Sequence, residues 1–60
     1  TDKEKLQFLF VGQGSLSELD TQIEISKLLR YVDDAVHAQV EGDILIVQKL
    51  LSGLMRSIRM

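Results

Sequence analysis

Cysteine, proline and tryptophan are all absent from this sequence of 60 residues. Without cysteine the chain forms no disulfide and offers no thiolate to a metal. Without proline nothing interrupts a long helix. No apolar run approaches the roughly 20 residues of a membrane-spanning helix, and no signal segment is recognisable. We therefore expect one small, soluble, cytoplasmic domain without membrane association, near the lower size limit for an independent core.

The formal net charge of −2 is unevenly distributed along the chain. Residues 1–17 are balanced, residues 18–43 carry seven acidic and two basic side chains, and residues 44–60 carry three basic side chains and no acidic one. This balance argues against non-specific binding of nucleic acid by the whole surface. It leaves room for a local basic patch near the end of the sequence.

Capping signals predict two helices. Thr1 and Glu4 have the spacing of a capping box, and the pattern that follows predicts a helix over about 2–29. Asp33 is a plausible N-cap for a second helix over about 34–59. Because the connection is so short, the helices must fold back as an antiparallel hairpin, giving an all-α fold in a single unit, 1–60.

Both predicted helices have apolar faces too wide for one partner. In the second helix the apolar arc spans roughly 200°, against the ~100° that one core-facing side needs. In the first helix we expect a core stripe of Phe8, Gly12, Leu16, Leu19 and Ile23, and a solvent strip of Gln13, Ser17, Asp20, Glu24 and Lys27. The hairpin is therefore predicted to pack against further helices. It would do so as a homo-oligomer or by packing on helices absent from this chain.

A second packing face accounts for the small and polar residues of the first helix. The predicted helix–helix interface comprises Gly12, Gly14, Glu18, Thr21, Gln22, Ile46 and Leu50. Glycine allows close approach of helices, and the polar side chains would specify one register. For Glu18 two readings stay open: a cation or backbone amide on another helix pairs with it, or it lies half-exposed at the interface edge.

Three stretches carry a resemblance to a known family: LQFLFVGQGSLSELDTQIEI, LLRYV and LLSGLMRSIR. They resemble the second half of the small bacterial four-helix bundle proteins encoded in intervening sequences of 23S ribosomal RNA genes, often labelled ribosomal-protein-like. Accessory proteins of diversity-generating retroelements share that fold. The most specific part is Gly14 to Leu19 with Thr21 and Gln22. Nearly all of this chain is covered, but only about half of the family's length.

The resemblance implies a non-catalytic bundle that forms ring-like homo-oligomers, with nucleic-acid binding attributed to the basic retroelement members. For most members the function is unknown. This chain would be the C-terminal half of such a four-helix up-down bundle, and its partners would be further copies or the missing N-terminal helices. One departure is Arg30, where the family usually has a glycine that provides a left-handed helix cap. Arg30 therefore predicts a different turn.

No constellation in the sequence indicates catalysis or a bound cofactor. His37 is the only histidine, and with no cysteine it does not make a typical transition-metal site, so we expect it to be solvated or packed at an edge. The serines have no base partner. The acidic residues around Asp33 and Glu41 lack the spacing of a calcium loop. We expect no enzyme, no metal and no cofactor.

The basic residues near the end of the chain are the candidate nucleic-acid contacts. Lys49, Arg56 and Arg59 share one side of the second helix. They either complement the helix dipole as a solvated face or contact phosphates, and no neighbouring aromatic is expected for base stacking. We predict a scaffold or assembly protein, with RNA or a nucleoprotein as a candidate partner. The alternatives are a purely structural protein–protein module, or a regulator built from two hairpins.

Overall fold

The computed structural model describes residues 1–59 as two antiparallel helices. Helix α1 spans Asp2–Leu28 and helix α2 spans Asp34–Arg59. No strand occurs within residues 1–59. The all-helical hairpin predicted from the sequence is confirmed, with bounds within one residue of those expected. The turn lies at one end of the hairpin, and the start of α1 and the end of α2 lie at the other.

The predicted caps begin both helices. The Glu4 backbone N–H donates to Thr1 Oγ1 at 3.2 Å, and the Glu4 carboxylate lies 3.7 Å from the Thr1 nitrogen, as in a capping box. At α2 the Val36 backbone N–H donates to Asp33 Oδ1 at 2.8 Å. Both side chains satisfy amide groups that have no partner inside the helix, which is why the helices start where they do.

The end of α1 corrects the expectation for Arg30. This residue has a φ of 62°, in the left-handed region. Its N–H donates to the Lys27 carbonyl at 3.0 Å, and the Tyr31 N–H donates to the Ser26 carbonyl at 2.9 Å. These two bonds define a Schellman motif. The glycine-type cap therefore forms around an arginine, because the hydrogen bonds and the short connection impose it.

The helices pack along a seam with alternating spacings of three and four residues, typical of paired helices. On α1 the buried or half-buried seam positions are Leu6, Leu9, Gln13, Leu16, Asp20, Ile23 and Lys27. On α2 they are His37, Glu41, Ile44, Gln48, Leu51, Met55 and Ile58. We call these fourteen positions the seam. It combines apolar layers with polar ones.

The seam differs from the stripes expected from the sequence. Gln13, Asp20 and Lys27 were assigned to the solvent strip but lie half-buried in the seam. Phe8, assigned to the core stripe, is 82% exposed. The apolar arc of α1 is so wide that several rotations of the helix bury part of it, and the packed rotation turns its polar strip towards α2.

Candidate functional site

The outer surface of the hairpin is unusually apolar. Within residues 1–59 only Ile44 and Met55 are buried, each 5% exposed. The exposed large apolar residues are Phe8, Phe10, Val11, Leu19, Ile25, Leu28, Leu29, Tyr31, Val36, Leu45, Ile46, Val47, Leu50 and Leu54. The two wide apolar arcs are thus only partly covered by the contact between α1 and α2. Apolar exteriors of this extent are typical of surfaces that bind other helices or proteins.

The accessible surface supports the same conclusion quantitatively. The chain of 6.8 kDa has an accessible surface of 4841 Å² and is elongated, with extents of 43 × 15 × 9 Å. A compact monomer of this mass exposes about 3,950 Å². The hairpin therefore exposes roughly 900 Å² more than a self-contained domain of its size.

Most of the residues predicted for a second helix–helix interface lie on this exterior. Ile46 and Leu50 are 58% and 63% exposed. The other exposed members are Gly14, Glu18, Thr21 and Gln22. Their exposure leaves them available to a further partner. The Thr21 hydroxyl donates to the Ser17 carbonyl at 3.1 Å, so its hydrogen-bonding group is satisfied within α1.

The two glycines of α1 have different surroundings. Gly12 is half-buried, and a Cβ built on it would lie 3.7 Å from Leu51 Cδ1, an ordinary van der Waals contact. A Cβ on Gly14 would meet nothing within 4 Å. The packing of α1 on α2 therefore requires a glycine at neither position. If a glycine is required at position 14, the requirement comes from contact with a partner outside the hairpin.

The candidate nucleic-acid contacts separate into two parts. Arg56 and Arg59 line a groove with Phe10, and the Arg59 guanidinium carbon lies 5.3 Å from the centre of the Phe10 ring. Lys49 is exposed on α2 and does not line that groove. The expectation that no aromatic accompanies the basic residues is therefore wrong. Antiparallel packing brings a phenylalanine from the start of α1 to the end of α2.

A polar cluster crosses the seam near the turn. His37 Nε2 lies 2.6 Å from Glu24 Oε1 and 3.5 Å from Glu41 Oε1. The His37 side chain is only 12% exposed. Because His37 and Glu41 are four residues apart on α2, they occupy one face of that helix, and Glu24 approaches from α1. We call Asp20, Glu24, His37 and Glu41 the polar cluster.

The acidic groups of the polar cluster perturb one another. A hydrogen bond with Asp20 raises the pKa of the Glu41 carboxyl above its ordinary value of 4.5. Desolvation and the charges of Asp20 and Glu24 raise this pKa further, against the opposing effect of His37. Glu41 Oε1 is inaccessible to solvent and accepts no hydrogen bond. The cluster therefore brings together more negative charge than its imidazole compensates.

Sequence reasoning missed the polar cluster because it placed Asp20 and Glu24 on a solvent strip and considered His37 alone. A signal was nevertheless present. Asp20 and Glu24 precede the turn at distances within one residue of those at which Glu41 and His37 follow it. Folding the chain at residues 29–33 therefore places the two pairs opposite each other.

The chain matches no protein-family model, no curated protein and no solved structure. The resemblance to proteins of 23S ribosomal RNA intervening sequences consequently stays a prediction based on its residues. Neither helix in the described part of the chain combines the length and apolar character needed to cross a membrane.

Proposed function

We propose that this chain is a non-catalytic assembly protein whose hairpin associates with further helices to complete a four-helix bundle. The observation that carries the proposal is the apolar exterior around Ile46 and Leu50. The excess surface of roughly 900 Å² is close to the ~800 Å² that each partner buries in a stable interface. A second copy of the hairpin would contribute two more helices and the same apolar face. Two copies together would therefore complete a four-helix bundle.

The role we propose is that of a scaffold, in keeping with the non-catalytic bundle that the resemblance to the intervening-sequence family implies. The apolar exterior supports association, and the resemblance suggests RNA or a nucleoprotein as its setting. A purely structural module without a nucleic-acid role is the alternative. Both readings require the same self-association and differ only in what the assembled bundle contacts.

Sedimentation equilibrium and native mass spectrometry of the purified chain test the proposal. We expect a mass of at least two subunits of 6.8 kDa. The variant Leu50→Lys, which places a charge on the apolar exterior, should weaken association at least tenfold. Ser52→Lys adds the same charge two residues away and serves as the matched control.

A wild-type chain that remains folded and monomeric at about 100 μM would contradict self-association. So would equal effects of Leu50→Lys and Ser52→Lys, because the exterior would then not be the contact. Circular dichroism of each variant separates loss of association from loss of helix.

The second candidate function is binding of nucleic acid by the assembled bundle. The specific observation is the groove where Arg56 and Arg59 meet Phe10, in a segment without acidic residues. Oligomer symmetry would repeat this cationic groove around the assembly. Arginine and an aromatic ring are the groups that contact phosphates and stack on unpaired bases.

Fluorescence anisotropy with a labelled single-stranded RNA tests this second function. Affinity should fall steeply with salt, and the double variant Arg56→Ala with Arg59→Ala should weaken binding at least tenfold. Arg30→Ala removes one arginine charge at the opposite end of the hairpin, and each single variant, Arg56→Ala or Arg59→Ala, is compared with it. Absence of binding at low salt would leave the purely structural module.

A further inference from the structure

The polar cluster contains a set of metal-ligating atoms drawn from both helices. One carboxylate oxygen each from Glu24 and Glu41 and one imidazole nitrogen of His37 all lie within 4.8 Å of one another. Asp20 adds a third carboxyl, beside Glu41. One histidine and no cysteine in the sequence predict no transition-metal site. The carboxylates that complete the ligand set come together only when the two helices pack across the seam.

Two further features of the cluster point to a cation. The His37 imidazole is largely enclosed, and Glu41 Oε1 is both shielded from solvent and without a hydrogen-bond donor. Among residues 1–59, no lysine or arginine pairs with the three carboxyls: Lys27, on the next turn of α1, lies 4.0 Å from Asp34 instead. A shielded oxygen without a donor is unfavourable, and a bound cation would satisfy it.

We propose that Glu24, His37 and Glu41 bind a divalent transition-metal ion of the zinc class, which joins α1 to α2 beside the turn. This inference is independent of the proposed assembly function. Its residues lie in the seam of a single hairpin and not on the apolar exterior.

The donor set determines the class of ion. An imidazole nitrogen with two carboxylate oxygens suits Zn²⁺ and its neighbours, whereas Mg²⁺ and Ca²⁺ prefer oxygen ligands alone. Zinc–ligand bonds of about 2.0–2.2 Å place neighbouring ligand atoms about 3.3–3.6 Å apart in a tetrahedron. The 3.5 Å from His37 to Glu41 already fits this spacing.

The contact between His37 and Glu24 has to open on binding. At 2.6 Å these two atoms are within hydrogen-bond distance of each other, and the metal ion would have to come between them. Three protein ligands leave the fourth position to a water molecule. Asp20, beside Glu41, is placed to orient that ligand through a hydrogen bond.

Isothermal titration calorimetry of the untagged, chelator-treated full chain tests the proposal with ZnCl₂ and MgCl₂ as probes. We expect one Zn²⁺ per chain, with Mg²⁺ at least tenfold weaker. Glu24→Gln and His37→Gln should each raise the dissociation constant for Zn²⁺ at least tenfold. Asp2→Asn, at an exposed carboxylate on the other end of α1, should leave it unchanged.

A second measurement does not depend on the folding of variants. Because His37 is the only histidine, the imidazole resonances in an NMR spectrum of the wild-type chain report on this residue alone. Substoichiometric Zn²⁺ should shift or split these signals, and the same concentration of Mg²⁺ should not.

Three results would overturn the site. These are unchanged imidazole signals in the presence of Zn²⁺, equal affinity for Zn²⁺ in His37→Gln and the wild type, and a stoichiometry of one ion per two chains. The last result would mean that the ion bridges separate hairpins. Loss of assembly without loss of Zn²⁺ binding would affect only the proposed function.

Discussion

At the scale of single residues, Arg30 shows how the connection imposes a conformation on the chain. It is the only non-glycine residue with positive φ among residues 1–59, and no glycine in that range has one. A side chain in the left-handed region costs roughly 1–2 kcal/mol because its Cβ crowds the backbone. The Schellman hydrogen bonds and the start of α2 four residues later compensate this cost.

Replacing Arg30 with glycine should therefore stabilise the hairpin. Glycine relieves the backbone strain at this position, but ordering a glycine on folding costs more conformational entropy. Because the relieved strain is the larger effect, we expect a net increase of about 1 kcal/mol in the free energy of unfolding. Urea unfolding followed by circular dichroism at one fixed protein concentration measures it. Arg30→Ala removes the same charge but keeps the strain; equal stabilities of the alanine and glycine variants would contradict the explanation.

Glu41 provides a pH-dependent prediction for the chain in chelator. Its pKa is raised in the folded state, so the folded chain holds this proton more tightly than the unfolded chain does. Stability from this group is present at pH values below the ordinary value of 4.5 and is lost as the pH rises through the folded pKa. Glu41→Gln, which stays neutral, should therefore be more stable than the wild type at pH 7.

The difference in stability between Glu41→Gln and the wild type should shrink as the pH falls towards 4. Thermal unfolding in EDTA at several pH values measures it. Asp43→Asn is the matched control, since Asp43 is an exposed acid two residues further along α2. If Asp43→Asn stabilises as much as Glu41→Gln, overall acidity and not the polar cluster is responsible.

At the scale of the helices, the ends were predictable and the packed faces were not. Thr1, Glu4 and Asp33 define helix starts through bonds to amides two or three residues away, so a short stretch of sequence contains the whole signal. The rotation of α1 depends on the residues of α2 opposite it. This is why Phe8 was wrongly placed in the core and the polar cluster was missed.

Alanine variants at one glycine of each helix separate an effect on helix stability from an effect on association. Gly14 and Gly42 are both exposed, and a Cβ at either would meet nothing within 4 Å. Alanine at either position should increase helix stability by up to about 1 kcal/mol. If Gly14 lies at a close contact with another hairpin, only Gly14→Ala should also weaken association.

Sedimentation equilibrium and circular dichroism of both variants provide the comparison. Unchanged association in Gly14→Ala would remove Gly14 from the predicted interface. If Gly42→Ala also weakened association, the weakening would come from a change in the bend or dynamics of the helix. A close contact at Gly14 would then not be its cause.

At the scale of the whole molecule, the hairpin buries few residues for its length. Ile44 and Met55, the buried residues within 1–59, provide a small core for a hairpin 43 Å long. Many of its large apolar side chains are exposed. A chain of this size is marginal without a staple or a partner. Stability should therefore depend on how many chains associate.

The melting temperature should rise with protein concentration. Association removes folded monomers from the unfolding equilibrium, so a tenfold increase in concentration should raise the midpoint by several degrees. Circular dichroism melts between about 5 and 500 μM measure it, and Leu50→Lys should show a flatter dependence. A midpoint that does not change over this range would contradict assembly-dependent stability.

The hairpin connection also has a kinetic consequence. Closing the turn brings Glu24 to His37, only 13 positions apart in the sequence, whereas Gly12 and Leu51 are about three times as far apart. Loop closure becomes less favourable with length, so we expect the chain to pair progressively from the turn towards its open end. Arg30 would then be ordered in the transition state, and relieving its strain should accelerate folding more than it slows unfolding.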